Sequence, residues 1–168
     1  MATHAMMAAG HPRLSFELDT FTELWRTSGG REHFRRDAAY AARKPEPGPA
    51  GAWLTGLVLA SAASVDQLEA AVGRGALPEF AAFNCYSCHR NMGLARWRER
   101  TPPAGAMPGA LRINDSALRL LATALEAWDP AGAATLASGI EGLQRAANED
   151  RAAVAVAANG VTNAPPGA

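Results

Sequence analysis

Cys85-Tyr86-Ser87-Cys88-His89 decides how the rest of the chain is read. It has the form C-x-x-C-H, the pattern of a c-type haem attachment site. The spacing has a chemical reason. Two thiols separated by two residues can each add to one vinyl group of the same porphyrin, forming two thioethers. The histidine that follows lies under the iron and supplies a neutral imidazole as proximal ligand. Cys85 and Cys88 are the only cysteines in the sequence, and the histidine follows directly. Haem c is the expected cofactor, bound by Cys85, Cys88 and His89, with His89 on the metal.

Blander readings of the stretch weigh less. A structural zinc site needs four ligands, commonly two such pairs. Here there is one pair, and His4, His11 and His33 are distant in sequence. A thioredoxin-like redox pair calls for a βαβ setting, which this strand-poor sequence does not offer. Two free thiols at a chance spacing are the remaining alternative.

The chain has 168 residues, 48% of them hydrophobic, enough for one compact domain. Alanine is abundant and β-branched residues are sparse, so a mainly α fold is expected: a helical haem-binding domain with an alanine-rich C-terminal helical pair. Sixteen basic and sixteen acidic residues cancel. No global basic field supports nucleic-acid binding. The run Ala50–Ala63 is broken by Thr55, Gly56 and Ser61. It falls short of the ~20 apolar residues of a membrane-crossing helix, so no membrane span is expected. Met1–Met7 lacks the basic start and apolar core of a signal peptide. Covalent haem attachment is normally completed outside the inner membrane. The chain is therefore expected to be periplasmic or extracytoplasmic and the C-terminal part of something longer.

Taken in order, His4 and His11 are seven residues apart. On one helix they would share a face about 10.5 Å apart, a spacing that suits two neighbouring irons. Pro12 puts His11 at a helix end. Both are candidate metal ligands, against the alternative of a frayed N-terminus. Residues 14–27 read as a helix with a core-packing stripe of Leu14, Leu18, Phe21 and Trp25, ended by Ser28-Gly29-Gly30. Residues 31–44 read as a more polar helix, with His33 a solvated surface residue. A loop at Pro45–Pro49 precedes a helical region over 50–73, which Ser64-Val65-Asp66-Gln67 divides with a capping box.

Phe80, Phe83, Tyr86, Leu94 and Trp97 surround the haem motif and suit a large apolar plate. Arg90, Arg96, Arg98 and Arg100 follow, and one or two of them can pair with haem propionates. Met107, in a Pro-rich loop, is a rival sixth ligand. Asn114 or Asp115 caps a helix carrying Leu118, Leu121, Leu125 and Trp128. Asp129-Pro130 opens a last helix to about Ala158. Residues 159–168 read as a disordered tail. The expected division is a haem domain over 1–110, a helical extension over 111–158, and that tail.

Two segments carry a family resemblance. Residues 4–21, HAMMAAGHPRLSFELDTF, and residues 78–89, PEFAAFNCYSCH, resemble the segment that follows the last upstream haem motifs and the final haem site of multihaem cytochromes c similar to cytochrome c554. The resemblance covers roughly the first 100 residues. It implies an electron-transfer protein outside the cytoplasm with several haems, mostly bis-histidine. It implies Cys85 and Cys88 as thioether anchors, His89 as proximal ligand, and His4 and His11 as distal ligands. Partners would be redox proteins or the missing upstream haem domains.

The leading expectation is electron transfer through a six-coordinate haem, without enzymatic chemistry. One alternative is a haem enzyme or sensor with an open iron site for a small ligand. Another is a helical interaction module docking on a larger cytochrome complex.

Overall fold

A computed structural model describes residues 2–12, 18–31, 37–44, 48–89 and 110–162. Leu14, His33, Arg90, Leu94, Arg96, Trp97, Arg98, Arg100, Met107 and residues 163–168 lie outside the described residues. The fold is mainly α, with no strand among the described residues. The helices are α1 (His4–Ala8), α2 (Leu18–Thr27), α3 (Ala38–Arg43), α4 (Pro49–Gly73), α5 (Cys85–Cys88), α6 (Ser116–Leu125), α7 (Pro130–Ala146) and α8 (Arg151–Thr162). A 3₁₀ turn at Phe80–Ala82 precedes α5. No helix among the described residues is long and apolar enough to cross a membrane.

The core is a ring of four helices. α4 packs on α6 and α8, and α7 packs on the same two. From α4, Leu57, Ser61, Val65, Leu68 and Ala71 are buried, at three- and four-residue spacing. Leu118 and Ala122 of α6, Ile140, Leu143 and Ala146 of α7, and Val154 and Ala158 of α8 complete the cluster with Phe83 and Ile113. Burying each large aliphatic here stabilises the fold by roughly 1.5–3 kcal/mol. The segment expected as an extension thus supplies most of the core, and buried residues on both sides of position 110 form one cluster.

Several expectations are corrected. α4 runs unbroken through Ser64–Gln67, because the Ser64 hydroxyl donates back to the Ser61 carbonyl at 2.7 Å and caps nothing. It ends at a Schellman turn: Gly75, at φ +67°, donates to Val72, and Ala76 donates to Ala71. The α2 stripe does not pack in the core. Leu18, Phe21, Leu24 and Trp25 are all exposed. Helical spacing reports a helix with an apolar face, and it does not say what that face meets. Trp128 lies beyond the end of α6 and is 70% exposed. Asp129 does cap α7, accepting from the Gly132 N–H at 2.8 Å. The expected last helix is two, because Asp150 accepts from Ala153 N–H at 2.8 Å and restarts the chain as α8. Residues 159–162, expected as disordered tail, belong to α8.

One residue of α7 organises the connection between this ring and the motif. Gln144 is 1% exposed. Its Oε1 accepts from Ile113 N–H and its Nε2 donates to Ile113 C=O, both at 3.0 Å. Nε2 also donates to Asp115 Oδ2 at 2.9 Å. Asn148, four residues on, treats Leu111 alike, with 3.1 Å bonds to its N–H and C=O. Four residues of helix climb about 6 Å and two of extended chain about 6.6 Å. The two amides therefore meet alternate residues of segment 111–113.

The opposite edge of that segment pairs with the chain entering the motif. Phe83 and Ile113 form an antiparallel bridge. Asn84 N–H donates to Arg112 C=O at 2.7 Å, and Asn114 N–H donates to Ala82 C=O at 3.0 Å. Asp115, expected as a possible cap, makes no capping bond. Its buried carboxylate instead accepts from Arg119 Nε at 2.6 Å, from Gln144, and from Arg112 at 3.3 Å.

Replacing Gln144 by Leu leaves the Ile113 N–H and C=O buried without partners, each worth roughly 1–3 kcal/mol. Urea denaturation is expected to show a loss of about 3 kcal/mol. Leu24→Ser, on the exposed face of α2, is expected to stay within about 0.5 kcal/mol of wild type.

Candidate functional site

The motif forms the single turn α5, which Asn84 starts. Its Oδ1 accepts from Tyr86 N–H at 2.9 Å, satisfying an orphan donor of the first turn. A one-turn helix puts residues i and i+3 on one face, so Cys85 and Cys88 are neighbours. Both are exposed free thiols. His89 closes the turn, its N–H donating to Cys85 C=O at 2.7 Å.

Cys88 and His89 border a cavity of about 240 Å³. Phe80, Phe83 and Leu111 give it apolar walls, and His4 completes it. Phe83 is buried, while Phe80 is half-exposed and Tyr86 exposed. The amide of Asn148 therefore holds a wall of the cavity through Leu111, and that of Gln144 holds the segment behind Phe83.

His4 comes to this site from the other end of the sequence. Its ring centroid lies 6.0 Å from that of His89, with the planes inclined by 33°. Phe80 meets the His4 ring edge-on, at 5.7 Å and 72°. Thr3 Oγ1 accepts from Met6 N–H at 3.2 Å and caps α1. The His4 N–H, an orphan donor at the helix start, donates to Glu79 Oε1 at 2.7 Å. The same oxygen accepts from Ala81 N–H at 3.1 Å.

His11 is elsewhere. α1 ends in a Schellman turn, with Gly10 at φ +94° and His11 N–H donating to Met6 C=O. The two histidines do not share one helical face. His11 is exposed, its Nδ1 lies 3.0 Å from Pro12 C=O, and it does not line the cavity. The structure brings together His4, Cys88 and His89, with Cys85 one turn earlier.

Glu79, Asn84 and Leu111 were not singled out in the sequence. Asn84 carried a legible signal, an Asx residue directly before a helical turn. Glu79 carried none, because its partner is 75 residues away.

Among the described residues no group of three or more His, Cys, Asp and Glu side chains gathers to hold a bare ion. What the site offers is two imidazoles 6.0 Å apart beside Cys88, with Cys85 one turn earlier. That donor set is incomplete for zinc. It is sufficient for a macrocycle that brings its own equatorial nitrogens and asks the protein only for axial ligands. Against known protein families, curated proteins and solved structures, the chain finds no match.

The bonds from His4 N–H and then Ala81 N–H hold the Glu79 carboxyl below the usual carboxylate range. A depressed carboxyl contributes its bond above the unfolded pKa and loses it as pH falls through the folded one. The attachment of α1 is expected to hold at neutral pH and weaken as pH drops below about 4.5. A fall in the protection factor of the His4 amide proton across an acid pH series, ahead of the α7 amides, is the check.

Proposed function

We propose that the chain is an electron-transfer module carrying one covalent haem c, with His89 and His4 as axial ligands and Cys85 and Cys88 as anchors. The observation that carries the reading is the 6.0 Å between the two imidazole centroids, both bordering the one cavity beside Cys88. Two imidazoles at that distance could each present a ring nitrogen to an iron held between them. An aromatic pair alone also accommodates 6 Å. It gives no reason for this pair to stand beside two neighbouring thiols.

Bound haem supplies a one-electron iron couple. The protein's part is to hold it. Cys85 and Cys88 would anchor it, Phe80, Phe83 and Leu111 would cover it with apolar surface, and His4 and His89 would bind its iron. With both histidines on the iron no position would be left for a substrate, which favours electron transfer over catalysis. Two histidines also give a lower potential than a histidine–methionine pair. The reading extends to a periplasmic or extracytoplasmic location, where such haems mature. It also extends to a multihaem assembly of the kind similar to cytochrome c554, with redox proteins or upstream haem domains as partners.

Expression with a cytochrome c maturation system is the test. Wild type is expected to keep its haem through acid-acetone extraction and to give a low-spin reduced spectrum. The double variant Cys85→Ala, Cys88→Ala is expected to lose covalent haem entirely. His4→Ala is expected to keep the haem, lose the low-spin spectrum and bind carbon monoxide. His11→Ala is expected to match wild type. Ready carbon monoxide binding by wild type would favour the open-site sensor or enzyme instead.

A further inference from the structure

We propose that Glu79 is the positioning residue that holds the His4 imidazole opposite His89; this rests on the haem reading above. The reason lies in how little else fixes α1. It has five residues and buries none of them. An isolated helix of that length does not hold itself together in water. Among the described residues, the hydrogen bond that takes α1 outside its own segment is the one from His4 N–H to Glu79 Oε1.

Glu79, by contrast, is fixed to the body. Its carboxylate caps the 3₁₀ turn through Ala81 N–H. Ala81 is buried, and Ala82 C=O accepts from Asn114 N–H. A single oxygen therefore receives both the turn that leads into the haem motif and the first residue of α1. Because the bonded N–H belongs to His4 itself, the tether acts one residue's width from the imidazole. Phe80, adjacent to Glu79, then meets the ring edge-on. Carboxylate and aromatic edge together fix where the ring sits and how it is turned.

The test compares holoprotein of wild type, Glu79→Ala, Glu79→Gln and His4→Ala. In Glu79→Ala the covalent haem is expected to remain and the low-spin fraction to fall. The reduced protein should bind carbon monoxide about tenfold more tightly, the change expected from one charge-assisted bond. Glu79→Gln keeps an oxygen without the charge and should give a smaller rise. Added imidazole should restore the low-spin spectrum in both Glu79→Ala and His4→Ala, which loss of packing alone would not allow. Glu79→Ala indistinguishable from wild type, while His4→Ala is changed, overturns the positioning role and leaves the haem reading standing. His4→Ala identical to wild type, or wild type without covalent haem, overturns the ligand assignment and this proposal with it. If Glu79→Ala does not fold, Glu79→Gln decides: an unchanged carbon monoxide affinity overturns the role.

Discussion

The primary amide of Gln144 is the constraint on which the arrangement depends. Buried in α7, it satisfies both backbone groups of Ile113 and one oxygen of the buried Asp115 carboxylate. A buried amide with each of these groups paired stabilises modestly, and the same groups left unpaired cost far more. The asymmetry gives segment 111–114 one favourable register against α7. That register then decides where Phe83 pairs and hence where the motif begins.

α5 itself has little to hold it in shape. One turn of helix fixes several dihedrals for a single bond. Its start at Asn84 is fixed by the bond to Arg112 C=O, and its cap by the Asn84 side chain. The thiols and His89 are thus mounted on the rim of a helical ring whose core lies behind Phe83 and Ile113. Chemistry-bearing residues stay exposed while the backbone under them is anchored. The same division recurs at His4, whose ring borders the cavity while its N–H is bonded to Glu79.

What was legible in the sequence was what is contiguous. The C-x-x-C-H form is visible because its five residues are contiguous in the chain. The mainly α class is visible in the alanine content, and Asp129 in its place before Pro130. Separating His4 from His11 required knowing where α1 ends and what it meets. Pro12 hinted at the first, and only the fold gives the second. The α2 stripe misled because a periodic face looks the same whether it is buried or exposed. Gln144 carries no local signal, since its partners Ile113 and Asp115 lie 31 and 29 residues away. Asp115 looked like a cap because it stands where caps stand, and two arginines and an amide recruit it elsewhere.

An extended segment normally has two flanks, and a bare flank is a template on which another chain can add as a strand. Residues 111–114 run extended beside the motif, yet neither flank is bare. One is paired with the Ala82–Asn84 backbone, and the other meets side-chain amides spaced to imitate a neighbouring strand. A helix has taken the position of a sheet partner. The molecule can therefore display free thiols at its surface without offering the adjoining backbone as a seed for self-association.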